Sequence, residues 1–93
     1  MNKNELVSAV AEQANISRKD ADAAITAMVD AITNALQEGE KVQLIGFGTF
    51  EVKKRNARIG RNPRTKEEIE IPARITPLFK PGKILKDAVS RLG

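Results

Sequence analysis

The chain has no cysteine, histidine, tryptophan or tyrosine, and its only aromatic residues are three phenylalanines in 93 positions. Without cysteine there can be no disulfide framework, no thiol nucleophile and no thiolate zinc site. Without histidine there is no imidazole base and no Ser-His-Asp triad. No stretch approaches the roughly 20 apolar residues of a membrane span. The opening Met1-Asn2-Lys3-Asn4-Glu5 leads into a short apolar run stopped by Glu12, which is not the pattern of a secretory signal. These absences predict a cytoplasmic protein without membrane attachment, cofactor, metal or small-molecule substrate, and not an enzyme of the usual kinds.

What is present is 41% apolar and 30% charged residues, the balance of one globular domain spanning 1–93. The net charge of +4 is unevenly spread. Residues 1–52 hold four basic groups against eight acidic ones, whereas residues 53–93 hold twelve against four. Lys53, Lys54, Arg55, Arg58, Arg61, Arg64 and Lys66 place seven cations in fourteen residues with no carboxylate among them. A block of this kind repels itself and calls for a polyanionic partner.

Two helical segments, forming one hairpin, come first. Asn2 with Glu5, and Ser17 with Asp20, are N-terminal capping pairs. They predict a helix ending near Ala14, with Asn15 as its stop, and a second starting near Arg18 and ending at Gly39. The stripe Ala21, Ala24, Ile25, Met28, Val29, Ile32, Leu36 keeps helical spacing. From Lys41 the period becomes two. Val42 and Leu44, then Phe50 and Val52, read as strands around a turn or bulge at Gly46-Phe47-Gly48. The strand pattern continues through Arg55, Ala57 and Ile59 and returns at Ile69–Ile75, with Asn62-Pro63-Arg64 as the tip of one long two-stranded ribbon. Such a ribbon is too polar to fold back on a core and should project from the body. Pro77-Leu78-Phe79 returns to the core, and Lys80-Pro81-Gly82-Lys83 opens a final helix. About 70 residues outside the ribbon make a small body with no covalent staple, which predicts a two-fold dimer sharing one core.

Ribbons enter nucleic-acid grooves as helices do. Three phenylalanines are too few for both a core and the base-stacking platform of single-strand or RNA binders, so duplex DNA is the expected partner. A helix-turn-helix regulator is the main alternative of another kind, but Asp20, Asp22 and Asp30 give its second helix a poor face for DNA. A metal-dependent nuclease using Glu67, Glu68 and Glu70 would place them on an exposed ribbon with no cavity to exclude water.

Gly46-Phe47-Gly48-Thr49-Phe50, Arg58-Ile59-Gly60-Arg61-Asn62-Pro63-Arg64-Thr65, Ile71-Pro72-Ala73 and Phe79-Lys80-Pro81-Gly82-Lys83 closely resemble the HU/IHF family of bacterial DNA-bending proteins, HU-type members most of all. The resemblance runs over the whole chain. It implies an α+β fold: an intertwined homodimer with a helical base, a β-sheet saddle and two protruding β-arms. In this chain that means a helical hairpin at 1–39, saddle strands at 40–52 and 76–82, an arm at 53–75 with its tip at 62–64, and a C-terminal helix at 83–93. It also implies nucleoid-associated DNA bending and condensation through the minor groove, a mode of which HU and IHF are themselves standard examples. Bent, nicked or junction DNA is the expected preference, with an IHF-like sequence-specific subunit as the alternative within the family. Carried over position by position, Pro63 is the intercalating residue, and Lys53, Arg55, Arg58, Arg61, Asn62, Arg64 and Arg74 are DNA contacts of the arm. Lys3, Lys80, Lys83 and Lys86 flank the duplex on the body, joined by Arg18, and Phe47, Phe50 and Phe79 form the dimer core. Lys66 departs from the family pattern, in which many members have glycine, and suggests a different tip conformation.

Overall fold

The side-chain oxygen of Asn2 accepts the Glu5 backbone N–H at 2.9 Å, and Ser17 accepts that of Asp20 at 3.0 Å. Each satisfies a donor that a helix start would otherwise leave unpaired. The computed structural model that carries these contacts describes residues 1–92. Its elements are α1 (Lys3–Ala14), α2 (Arg18–Gln37), β1 (Val42–Leu44), β2 (Gly48–Arg55), β3 (Arg58–Arg61), β4 (Glu68–Ile71), β5 (Arg74–Pro81) and α3 (Lys83–Ser90), an α+β composition. Asn15 ends α1 at φ 56°, and Gly39 follows α2 at φ 78°. The expected C-terminal helix at 83–93 ends earlier, at Ser90, and Gly93 lies outside the described residues.

Residues 1–35 form one unit and the chain from Leu36 another. In the first, Val7, Ala11 and Ala21 are buried, with Val10 and Ile25 packed against them. In the second, β1, β2 and β5 form an antiparallel sheet in that order. Phe79 sits 4.8 Å from Phe50 and 5.4 Å from Phe47, centroid to centroid, in tilted arrangements suited to aromatic quadrupoles.

The ribbon is not continuous. The β2–β5 pairing ends at Arg55 opposite Arg74, and a separate two-stranded sheet, β3 with β4, starts at Arg58 opposite Ile71. Between them Asn56-Ala57 and Pro72-Ala73 belong to neither ladder. Pro72 has no N–H to donate, which interrupts the ladder the alternation predicted to run through.

Helix α3 starts without a side-chain cap, because its N-cap is Gly82. The loop at 46–47 supplies the partners instead. Gly46 C=O accepts from Leu85 N–H at 3.2 Å, and Phe47 C=O accepts from Gly82 N–H at 2.7 Å. This brings two backbones together so closely that a Cβ on residue 82 would stand 2.7 Å from the Gly46 oxygen. Gly82→Ala is therefore expected to destabilise the protein by about 1–3 kcal/mol, the cost of forcing atoms into filled space. Urea unfolding of the two proteins checks this.

Candidate nucleic-acid interface

Paired residues on neighbouring strands share a face, so the register sorts the sheet's side chains. Phe50, Val52, Phe79, Pro77, Val42 and Leu44 fall on one face with the phenylalanine cluster. Thr49, Glu51, Lys53 and Arg55, with Lys80, Leu78, Thr76 and Arg74, fall on the other. Lys53, Arg55 and Arg74 thus share a surface with Lys80. Lys54 points to the opposite face, beside Ile75, despite adjoining Lys53 in the chain.

On the ribbon, Arg58 and Gly60 face the same way as Ile69 and Ile71, whereas Ile59 and Arg61 share their face with Glu68 and Glu70. Arg58 and Arg61, grouped together in the sequence, stand on opposite sides. At the break, Arg55, Arg58 and Arg74 line a cavity of about 220 Å³ with Asn56, Ile71 and Pro72. Three guanidinium groups around one concavity, with no carboxylate lining it, make it receptive to an anionic oxygen group.

Pro63 is exposed at the tip. Asn62 organises the turn: its N–H donates to Glu67 C=O at 2.8 Å, its C=O accepts from Lys66 N–H at 2.8 Å, and its side chain accepts from Arg64 N–H at 2.9 Å. Lys66 has φ 61°. This is the left-handed backbone that glycine takes most easily.

Three candidate contacts, Lys3, Lys80 and Arg18, have partners within the chain. Lys3 Nζ lies 3.4 Å from Asp22 and 3.1 Å from the Thr26 hydroxyl. Lys80 Nζ lies 2.7 Å from Glu51 Oε1, and Lys41 Nζ lies 3.5 Å from the other oxygen. Arg18 donates to the Ser8 hydroxyl. Among the described residues, Lys53, Arg55, Arg58, Arg61, Arg64, Arg74, Lys83 and Lys86 form no ion pair. Lys83 and Lys86, one turn apart in α3, lie on its charged side, apart from Ile84, Leu85 and Ala88. Glu51, the one carboxylate on the basic face, was not singled out from sequence. The alternation Thr49-Glu51-Lys53-Arg55 carried that signal, but its partner Lys80 emerges only from the β2–β5 register. Among the described residues no group of acidic side chains is placed to hold a metal ion, and no helix is long and apolar enough to cross a membrane.

The fold and this surface define a small α+β protein that presents cations along one sheet face and a proline-tipped β-ribbon. A family model described as bacterial DNA-binding protein matches residues 1–90. DNA-binding protein HU-1 of Halalkalibacterium halodurans is 64% identical over 90 residues, covering 97% of this chain and all of that one. DNA-binding protein HU 1 of Bacillus subtilis is 61% identical over 90 residues, covering 97% and 98%. Among solved structures, Anabaena HU in a cocrystal with DNA has a TM-score of 0.85 at 51% identity, covering 97% of this chain and 98% of that one. Thermotoga maritima HU has a TM-score of 0.69 at 38% identity, covering 96% and 98%. The chain belongs to the bacterial DNA-binding protein family, and its relatives are of the HU type.

The hydrogen bond from Lys80 holds the Glu51 carboxyl below its ordinary value of 4.5, against a smaller opposing effect of burial and with help from the charges of Lys80 and Lys41. A lowered folded-state value contributes stability that is present above the ordinary value and is lost as pH falls through the folded one. Stability is therefore expected to decline on acidification below about pH 4.5, and Glu51→Gln should flatten that decline while leaving the rest of the pH profile in place. Thermal unfolding followed across pH 2–7 measures both.

Proposed function

We propose that this protein is an architectural, largely sequence-independent binder of double-stranded DNA that bends the duplex by inserting Pro63 into its minor groove. The observation that carries this reading is the predominantly basic sheet face running from Lys80 through Lys53 to Arg55 and Arg74, with Glu51 as its one carboxylate and Pro63 exposed at the ribbon's tip. Phosphates neutralise the cations and release counterions. Opening a base step costs a few kcal/mol, and bending offsets it by letting more DNA meet the protein. A nicked, bulged or crossed duplex has less stacking to lose, so it binds tighter. Minor-groove edges carry a degenerate code, hence weak sequence preference. Such a protein would reside with the chromosome, in the nucleoid.

The bound form is a homodimer. Val7, Ala11 and Ala21 are the only apolar residues buried among those described. Burying one valine contributes roughly 1.5–3 kcal/mol, while ordering each residue's backbone costs about 1–2 kcal/mol. In the second unit, Phe47 stays 45% exposed and Ile84 71%, beside a fully open Ile45. In the first, Met1, Leu6, Ile25 and Val29 line an open apolar cavity of about 540 Å³. A second copy covers such surfaces, with the three phenylalanines at the shared core. The unfolding midpoint is accordingly expected to rise with protein concentration, as it does for a folded dimer and does not for a folded monomer. A concentration series of melting curves decides.

Binding of intact and nicked duplexes by the wild type and Pro63→Ala tests the mechanism. Wild-type affinity should fall by roughly 10³–10⁵ between 50 and 200 mM salt if about 6–10 phosphates are neutralised. Pro63→Ala should keep most of that affinity and lose bending, read as end-to-end distance by energy transfer. Equal curvature in both complexes would mean that Pro63 only shapes the turn.

A further inference from the structure

The basic face of the β1–β2–β5 sheet carries one carboxylate, Glu51, with an ammonium on either side of it. Lys80, opposite Thr49, stands one diagonal step from Glu51 across the β2–β5 pairing. Lys41, just before β1, continues that strand's register to a place opposite Glu51. Lys80 Nζ lies 2.7 Å from Oε1 and Lys41 Nζ 3.5 Å from Oε2, so each oxygen holds one cation. The Glu51 side chain is only 13% exposed, whereas those of Lys41 and Lys80 are 72% and 64% exposed. The lysines can swing out to an external anion, but the carboxylate cannot turn away after them.

That asymmetry matters on a surface that meets a polyanion. A phosphate that draws off Lys80 or Lys41 leaves behind a largely covered carboxylate with fewer cations to balance it, close to the phosphate itself. Two lysines and one carboxylate thus act as one net cation. Stability gives little reason for the carboxylate, because ion pairs of exposed lysines contribute little to folding. We propose that Glu51 is an affinity-limiting residue, which occupies Lys80 and Lys41 in place of DNA phosphates and lets the sheet face release the duplex quickly. This assignment rests on the duplex-binding reading above and gives the one anion of the face a part in it.

The test is duplex binding by the wild type and Glu51→Gln, which keeps the side chain's shape and an accepting oxygen but removes its charge. Each protomer then gains one net cation, two in the homodimer, which should steepen the slope of log affinity against log salt by about 1.8. At 50 mM salt the variant should bind roughly tenfold more tightly than the wild type, chiefly through slower dissociation. A rise to 200 mM should weaken it roughly tenfold more, so that the two proteins converge. A folding defect would lower the bound fraction and could not produce that pattern. In a Lys41→Gln/Lys80→Gln background Glu51→Gln has no lysine to release, so the salt slope should stay unchanged. Equal affinities and slopes for wild type and Glu51→Gln, weaker binding by the variant, or the same steepening without the two lysines would each overturn the Glu51 assignment and leave the wedge mechanism standing. Failure of the wild type to bind any duplex would overturn both.

Discussion

Antiparallel pairing of β2 with β5, from Gly48 opposite Pro81 to Arg55 opposite Arg74, separates the apolar side of the second unit from its charged side. A slip of β2 by one residue would turn Phe50 onto the charged face and Lys53 and Arg55 onto the aromatic one. Contacts that tolerate no side chain oppose that slip. A Cβ at Gly48 would meet the Phe79 ring at 2.5 Å and the Lys80 carbonyl at 2.7 Å. The same closeness recurs where Gly82 meets Gly46, so the start of α3 is fixed to the sheet by backbone contacts. The orientations of Lys83 and Lys86 follow from that attachment.

Much of this was legible in the sequence because its signals are local. Asn2, Ser17, Asn15 and Gly39 act within four residues of themselves, and the helix boundaries follow them closely, α2 stopping at Gln37, two residues before Gly39. The change from helical to alternating period at Lys41 likewise marks the start of the strands. The ribbon's interruption is hidden in the sequence because alternation survives a missing ladder bond, and the register is the same on both sides of the gap. Pro72 breaks the pairing without disturbing the pattern of side chains. The Glu51–Lys80 contact was invisible for another reason: it joins residues 29 apart in the chain, and only the register brings them together. The backbone state of Lys66 follows from the length of the turn, a quantity fixed by strand pairing, and not from the identity of the residue.

On the proposed reading, attraction and resistance act at different places on the molecule. Phosphate contacts are spread over the sheet face, the ribbon and α3, while resistance from base stacking is concentrated at two prolines. The cations already paired, Lys3 with Asp22 and Lys80 with Glu51, must exchange a carboxylate for a phosphate, so they contribute less to affinity than their unpaired neighbours. Sequence indifference has the same origin, since backbone oxygens look alike at every base pair.

The interruption at Asn56-Ala57 and Pro72-Ala73 has a kinetic side. No hydrogen bond of the β3–β4 ladder is shared with β2–β5, so the outer ribbon can open as its own cooperative unit while the sheet beneath stays closed. Its amides should then trade protons with solvent on a faster clock than those of Phe50 or Leu78. An appendage that melts and re-forms independently also sweeps a wider volume than a rigid one, which enlarges the target for a first encounter.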